Sequence, residues 1–293
     1  MPAALIESIA NLRDHLSGAR RASATIGLVP TMGALHVGHA RLIEQARREC
    51  QLVAVSIFIN PTQFDRADDL ARYPRTLAAD SSLCDRLGVD VIFAPSVEEM
   101  YPSKPQCTVA VGPIADHLCG RYRPGHFQGV ATIVLKLLQI VQPDRAYFGE
   151  KDAQQLAIVR RLVADFNVAA HIVGVPTVRE ADGLAVSSRN ARLSPEERQS
   201  ATALYRALQF ADRQICDGAT DAGSVTHAAA STIADNPLLK LEYLEIVDPD
   251  DMQPVSTIAG PVRVAGALWV GSTRLIDNVL STPPAVLQSS LQS

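Results

Sequence analysis

Over roughly the first 175 residues, short apolar runs alternate with longer segments of helical period, and this alternation restricts the fold more than any other feature of the chain. Thr25–Val29, Leu52–Ile59, Val89–Phe93, Ala146–Phe148 and His171–Val175 read as strands. Ala4–Arg20, Val37–Cys50, Thr76–Leu87, Gly129–Val141 and Asp152–Phe166 read as helices. In the fourth of these, Val130, Ile133, Val134, Leu137, Leu138 and Val141 fall at helical spacings and Pro143 ends the run. Strands joined through helices pair in parallel, and strands this apolar must be covered on both sides. The expected class is therefore α/β, a Rossmann-like parallel sheet with helices on both faces.

After Val178 the texture changes. Ser194-Pro195-Glu196-Glu197 is a helix start, with Ser as N-cap, Pro at the first helical position and acids in the first turn. That helix is expected to run to Cys216, and another from Ala222 to Ala234. Leu241–Val247 and Val262–Val270 read as strands; the alternation Leu241, Tyr243 slips one step before Leu244 and Ile246. The sequence thus predicts a domain of residues 1–178 and a smaller α+β domain of residues 179–293. Residues 281–293, with Pro283-Pro284 and a Ser/Gln-rich end, are expected to form a poorly ordered tail.

At 293 residues the chain has room for two such units. A net charge of −4 gives no electrostatic reason to expect a nucleic-acid partner or an acidic membrane surface. No stretch approaches the length of a membrane span and no signal peptide is visible. Five cysteines at irregular spacings, without Cys-x-x-Cys, indicate reduced thiols. The expectation is a soluble, cytoplasmic protein.

Chemistry concentrates in Pro30-Thr31-Met32-Gly33-Ala34-Leu35-His36-Val37-Gly38-His39, which follows the first strand and opens a helix. A helix N-terminus offers unpaired N–H groups to an anion, and two histidines three apart share one face of the first turn. This suits a polyphosphate. Half a metal site, or histidines incidental to a loop, are the competing readings; neither Gly-x-Gly-x-x-Gly nor a P-loop is present.

His36-Val37-Gly38-His39 resembles the His-x-Gly-His signature of the nucleotidyltransferase superfamily. It is followed, in one order, by Ile59-Asn60-Pro61-Thr62-Gln63-Phe64, Tyr73-Pro74-Arg75-Thr76, Arg123-Pro124-Gly125-His126-Phe127, Phe148-Gly149-Glu150-Lys151-Asp152, Val175-Pro176-Thr177-Val178-Arg179-Glu180 and Ser187-Ser188-Arg189-Asn190. Together these are similar to the pantothenate synthetase family, densely from about Thr25 to Asn190. The resemblance implies condensation of pantoate with β-alanine at the expense of ATP, through a pantoyl adenylate, with AMP and pyrophosphate released. It also implies Mg²⁺ as cofactor and a homodimer.

The same resemblance implies roles for residues. His36, His39 and Lys151 would be catalytic. Pro30, Thr31, Met32, Gly33, His36, Gly38, His39, Gly149, Lys151, Asp152, Val178, Val186, Ser187, Ser188 and Arg189 would meet ATP. Gln63 and Gln155 would hold pantoate, Gln63 also near β-alanine, with Asn60 in support. Adenylation joins two anions, so the work is positioning and charge stabilisation; both histidines are read as hydrogen-bond donors to phosphate. Val186 stands where the family commonly has Met. Asp80 alone remains of the acids the family can cluster after Tyr-Pro-Arg-Thr, and it is the candidate metal ligand. Phe64–Tyr73, with the charged run Asp65-Arg66-Ala67-Asp68-Asp69, reads as a lid loop over a labile intermediate; Arg123–His126 reads as a phosphate-side or structural loop, and His126 is given no chemical role.

Overall fold

The computed structural model describes residues 2–65, 67–233 and 235–284. It divides into two compact units. The first comprises Met1–Val111, Arg123–Glu150 and Ile158–Val178, and the second Gly112–Tyr122, Lys151–Ala157 and Arg179–Ser293. Two short segments before Val178, 112–122 and 151–157, thus group with the second unit.

Along the chain run β1 (Ala4–Ile6), α1 (Ile9–Arg21), β2 (Ile26–Thr31), α2 (Val37–Glu49), β3 (Leu52–Ile57), α3 (Ala67–Ala71), α4 (Leu77–Arg86), β4 (Val91–Phe93), α5 (Val97–Met100), α6 (Leu118–Tyr122), α7 (His126–Val141), β5 (Arg145–Gly149), α8 (Ala153–Asp165) and β6 (His171–Val175). There follow α9 (Pro195–Ser200), α10 (Ala203–Cys216), α11 (Ala222–Ser231), β7 (Leu239–Val247), β8 (Val262–Val270) and β9 (Thr273–Ser281).

β1 to β6 form one parallel sheet in the order β1-β4-β3-β2-β5-β6. From β2 the chain moves outward through β3 and β4, then restarts on the other side at β5. Right-handed crossovers therefore place α2 and α7 on opposite faces. α2 packs on β2, β3, β5 and β6 and α7 on β2 and α1, which is the two-sided cover the apolar strands require. Val29, Ile43, Val53, Val55 and Ile92 are buried together beneath α2. β2 and β5 are neighbours at the point where the strand order reverses, so the loops leaving their carboxyl ends flank a ligand-binding crevice of the open α/β kind.

The second unit contains an antiparallel sheet, β7-β8-β9, packed on α10 and α11. The slip in the alternation of β7 is a β-bulge between Leu241 and Tyr243. The helix expected from Pro195 to Cys216 is interrupted: α9 ends at Ser200 and α10 starts at Ala203. Ser194 caps α9 as expected, and the structure adds a reciprocal box with Glu197. β1 was hidden inside the amphipathic run Ala4–Arg20; Ser8 caps the helix proper and frees the residues before it to pair with β4. β9 was not foreseen, and it overturns part of the expected tail: Ser281 closes this strand and is 1% exposed. Residues 285–293 of that tail, and Ala234 at the end of the helix expected from Ala222, lie outside the described residues.

Cys50, Cys84 and Cys119 are buried and unpaired, and burial pushes the Cys84 thiol up to about 12. Among the described residues no helix is long and apolar enough to cross a membrane.

Candidate nucleotide site

The loop after β2 is built from its own backbone outward. Thr31 ends the strand, donates its hydroxyl to Ser56 O at 2.7 Å and accepts the Gly33 N–H at 3.1 Å. Gly33 and Ala34 both take positive φ, 82° and 51°, which turns the chain sharply back toward α2. A carboxylate holds this turn: Asp80, on α4 and 3% exposed, accepts from Ala34 N at 3.0 Å, Leu35 N at 2.8 Å and the Thr76 hydroxyl at 3.0 Å. Asp80 was the candidate metal ligand; both its oxygens are engaged by the loop and by Thr76, so it positions the turn. Among the described residues no three His, Cys, Asp or Glu side chains form a metal-binding group.

His36 and His39 make a capping box of unusual composition. His36 is the N-cap of α2, and its Nδ1 accepts the Gly38 N–H at 3.1 Å. His39, three residues on, accepts the His36 N–H on its own Nδ1 at 3.3 Å. This is the geometry of the Ser-x-x-Glu box with imidazoles in both places. The rings lie 4.1 Å apart, tilted by 39°. A Cβ on Gly38 would come 2.9 Å from the His36 ring, so glycine gives the cap its room. Because each Nδ1 is an acceptor, the proton of each neutral ring sits on Nε2, an assignment that follows from the hydrogen-bond pattern. The cap thus makes both rings Nε2–H donors.

Gln63 closes the neighbouring loop after β3. Asn60, 1% exposed, donates its Nδ2 to Gln63 Oε1 at 3.2 Å and to Gly129 O at 3.2 Å. Its Oδ1 accepts from the Thr62 hydroxyl at 3.0 Å and the Tyr101 hydroxyl at 2.9 Å. Gln63 Nε2 reaches Met32 Sδ at 2.9 Å. Asn60 is consequently enclosed by protein partners and fixes the Gln63 amide with its nitrogen as donor. A Cβ on Gly129 would stand 2.4 Å from Thr62 O, so α7 can approach this loop only through glycine. His126 also has a task, in orienting the main chain: its Nδ1 donates to Gln63 O at 2.8 Å, and Arg123 Nη1 lies 3.2 Å from its Nε2. Arg123 also binds Asp65 at 3.0 Å. Burial works to raise the Asp65 carboxyl, but the Arg123 charge and hydrogen bond outweigh it and hold the group below the usual carboxylate range. The segment read as a lid contains α3, and Arg66 lies outside the described residues.

The expected phosphate groups Lys151, Ser187, Ser188 and Arg189 belong to the second unit. Gly149 ends β5, and Glu150–Asp152 form one 3₁₀ turn before α8. Lys151 is half-buried and Asp152 exposed. Of two adjacent glutamines, Gln154 is buried and bound to Ile114 O at 3.0 Å and His117 O at 2.8 Å, whereas the candidate Gln155 is half-buried. Ser187 caps a 3₁₀ turn through the Arg189 N–H at 3.2 Å. Val186 is half-buried beside it, as is Val178 at the end of the first unit.

Arg179 and Asp277 were missed. Arg179 forks onto Asp277 at 2.6 and 2.9 Å, reaches Gly183 O at 3.0 Å and lies 4.1 Å over the Tyr205 ring. Burial pushes the Asp277 carboxyl up, and the guanidinium works against that. An Arg inside the motif Val175–Glu180 was the only sequence signal, since its partner lies 98 residues away.

The N–H groups of Gly33, Ala34, Leu35, His36 and Gly38, expected to be open to an anion, are taken up within the protein. A parallel sheet whose switch-point loop carries His-x-Gly-His, with two imidazole donors at a helix start, defines a nucleotide-binding enzyme of the nucleotidyltransferase class. The chain belongs to the pantoate-beta-alanine ligase family, whose profile matches residues 4–280. It is 50% identical to the pantothenate synthetase of Moorella thermoacetica over 276 residues, 94% of this chain and 98% of that one. Its fold matches the pantothenate synthetase of Thermus thermophilus with a TM-score of 0.90 at 46% identity, covering 96% of this chain and 100% of that one. It matches the Francisella tularensis pantoate-beta-alanine ligase, crystallised with a β,γ-ATP compound and β-alanine, with a TM-score of 0.79 at 37% identity over 95% and 97% of the two chains. Other curated relatives are bifunctional pantoate ligase/cytidylate kinases; the chain spans 51% of that from Thermosynechococcus vestitus.

Proposed function

We infer that this chain condenses pantoate with β-alanine at the expense of ATP, forming pantothenate. The observation that carries the reading is the imidazole capping box at the switch point, two Nε2–H donors held by rings whose Nδ1 atoms take up the His36 and Gly38 N–H groups. The carboxylate of pantoate attacks the α-phosphorus of ATP; the bond to the β-phosphate bridging oxygen breaks and pyrophosphate leaves. The β-alanine amine then attacks the acyl carbon of pantoyl adenylate and AMP departs. His36 and His39 donate to phosphate oxygens whose charge grows as pyrophosphate leaves, which lowers the barrier without proton transfer. Gln63, whose amide nitrogen Asn60 fixes as the donor beside Met32, donates to a carboxylate or hydroxyl oxygen of pantoate, and Gln155 does so from α8. Lys151, Ser187, Ser188 and Arg189 supply cationic and hydroxyl partners to the triphosphate. Pro30, Thr31, Met32, Gly33, Gly38, Gly149, Asp152, Val178 and Val186 border the nucleotide.

Residues 1–178 form the ATP- and pantoate-binding domain in this reading, and 179–293 a lid domain. The described carboxylates provide no cage for Mg²⁺, which fits a metal that travels on the nucleotide phosphates. We extend the reading to a homodimer, on the family resemblance, and to a cytoplasmic protein with no nucleic-acid or membrane partner, on the charge balance, the cysteine pattern and the lack of a long apolar stretch in the sequence; sedimentation of the purified chain checks the dimer.

The test is mass analysis after incubation with ATP, Mg²⁺, pantoate and β-alanine, together with exchange of labelled pyrophosphate into ATP. Pantothenate, with exchange that needs pantoate but not β-alanine, is expected. A product that retains the nucleotide would mean a different acceptor, and no turnover would mean a silent binding protein.

A further inference from the structure

β9 lies more than a hundred residues beyond Lys151, yet two of its residues reach the segments that bear the motifs of the resemblance. Asn278, 6% exposed, donates its Nδ2 to Lys151 O at 2.9 Å. Its Oδ1 accepts from Arg263 Nη1, which fixes the amide's orientation so that nitrogen, not oxygen, faces Lys151. Asp277, next along the strand, binds the fork of Arg179, and Arg179 Nη2 also donates to Asn278 O at 3.2 Å. Arg179 opens a hairpin closed by pairing with Ala185, and Ser187 follows two residues later. One dipeptide therefore grips the backbone at Lys151 and, through Arg179, the base of the hairpin that leads to Ser187-Ser188-Arg189.

We propose that Asn278 and Asp277 are positioning residues for the nucleotide-binding groups of the second unit, with Asn278 acting through Lys151. A lysine ammonium rides on a flexible four-carbon stem, so its reach is set by where its backbone is held. The 3₁₀ turn at Glu150–Asp152 is three residues long and supplies little rigidity of its own. The side-chain bond from β9 supplies it. This inference rests on the assignment of Lys151 to ATP.

Asn278→Asp is the sharpest variant. It is nearly isosteric and keeps an acceptor for Arg263, but it turns the donor facing Lys151 O into an acceptor. Asn278→Ala removes the donor without adding charge. Mg²⁺·ATP binding to the full chain is measured by calorimetry for wild type, both variants, Lys151→Ala, and Lys151→Ala combined with Asn278→Asp. Asn278→Asp should weaken ATP binding about ten-fold, because it sets two acceptors against each other, and Asn278→Ala about three-fold, because it only removes a hydrogen bond. In the Lys151→Ala background, Asn278→Asp should change affinity by less than about two-fold, because coupled residues are non-additive. An equal effect in both backgrounds, wild-type affinity in both single variants, or failure of both to fold would overturn the inference. Unchanged ATP affinity in Lys151→Ala would instead defeat the assignment of Lys151 itself.

Discussion

The two units hold their candidate nucleotide groups by opposite means. In the first, the loop after β2 is fixed by short-range contacts and one buried acid: His36 and His39 cap the helix they share, and Asp80 gathers the Ala34 and Leu35 N–H groups. In the second, Lys151 and the hairpin before Ser187 are held by side chains about a hundred residues away, Asn278 and the Arg179–Asp277 pair. A loop that is its own scaffold couples fold to chemistry at the same atoms. A loop held from a distance separates them, so it can be loosened without touching the groups that meet the ligand.

The largest expected effect tests the first half of that contrast. His39→Ala should slow pantoate-dependent pyrophosphate exchange by about 10²–10³-fold, as loss of one preorganised donor does, while ATP affinity changes far less. Near-normal exchange would remove its role. His36→Asn separates the two functions of that residue: asparagine is a good N-cap, so thermal stability should stay near wild type while exchange falls steeply.

Asp80→Ala should cost about 2–3 kcal/mol in urea unfolding, because it strands two loop N–H groups. If the loss of activity were instead recovered by raising Mg²⁺, Asp80 would be a metal ligand and not a scaffold. Gln63→Ala should raise the KM for pantoate about ten-fold, the scale of a hydrogen bond to a charged acceptor, and leave that for ATP unchanged. The reverse pattern would place Gln63 on the nucleotide.

The smallest effect concerns Asp65. Its carboxyl is held below the ordinary range in the folded state, so the link to Arg123 adds stability above the unfolded value of about 4 and loses it as pH falls through the folded value. Asp65→Asn should therefore lower the melting temperature slightly at pH 7, and the gap should close in more acidic buffer. A gap that widened toward low pH would contradict the ion pair.

What could be read from the letters follows the same division. The parallel sheet was legible because Val53–Val55 and Ile26–Val29 are apolar throughout, and the slip at Tyr243 marked the bulge in β7. The His-x-Gly-His loop was legible because its parts are adjacent. Asn60 was read as a support and the loop of His126 as phosphate-side or structural, but their partners were not legible, since Gly129 O and Gln63 O are backbone atoms that no side-chain pattern advertises. β9 was missed because Asp277 and Asn278 interrupt the apolar alternation of Leu275 and Val279. The residues that hid the strand are those that give it a task.

One consequence of the imidazole cap concerns reagents. Each ring keeps the lone pair of one nitrogen turned inward against a peptide N–H, so an acylating or alkylating electrophile should attack only after the first turn of α2 opens. Resistance to diethyl pyrocarbonate would then report on the fraying of that turn, giving a chemical clock for the helix start.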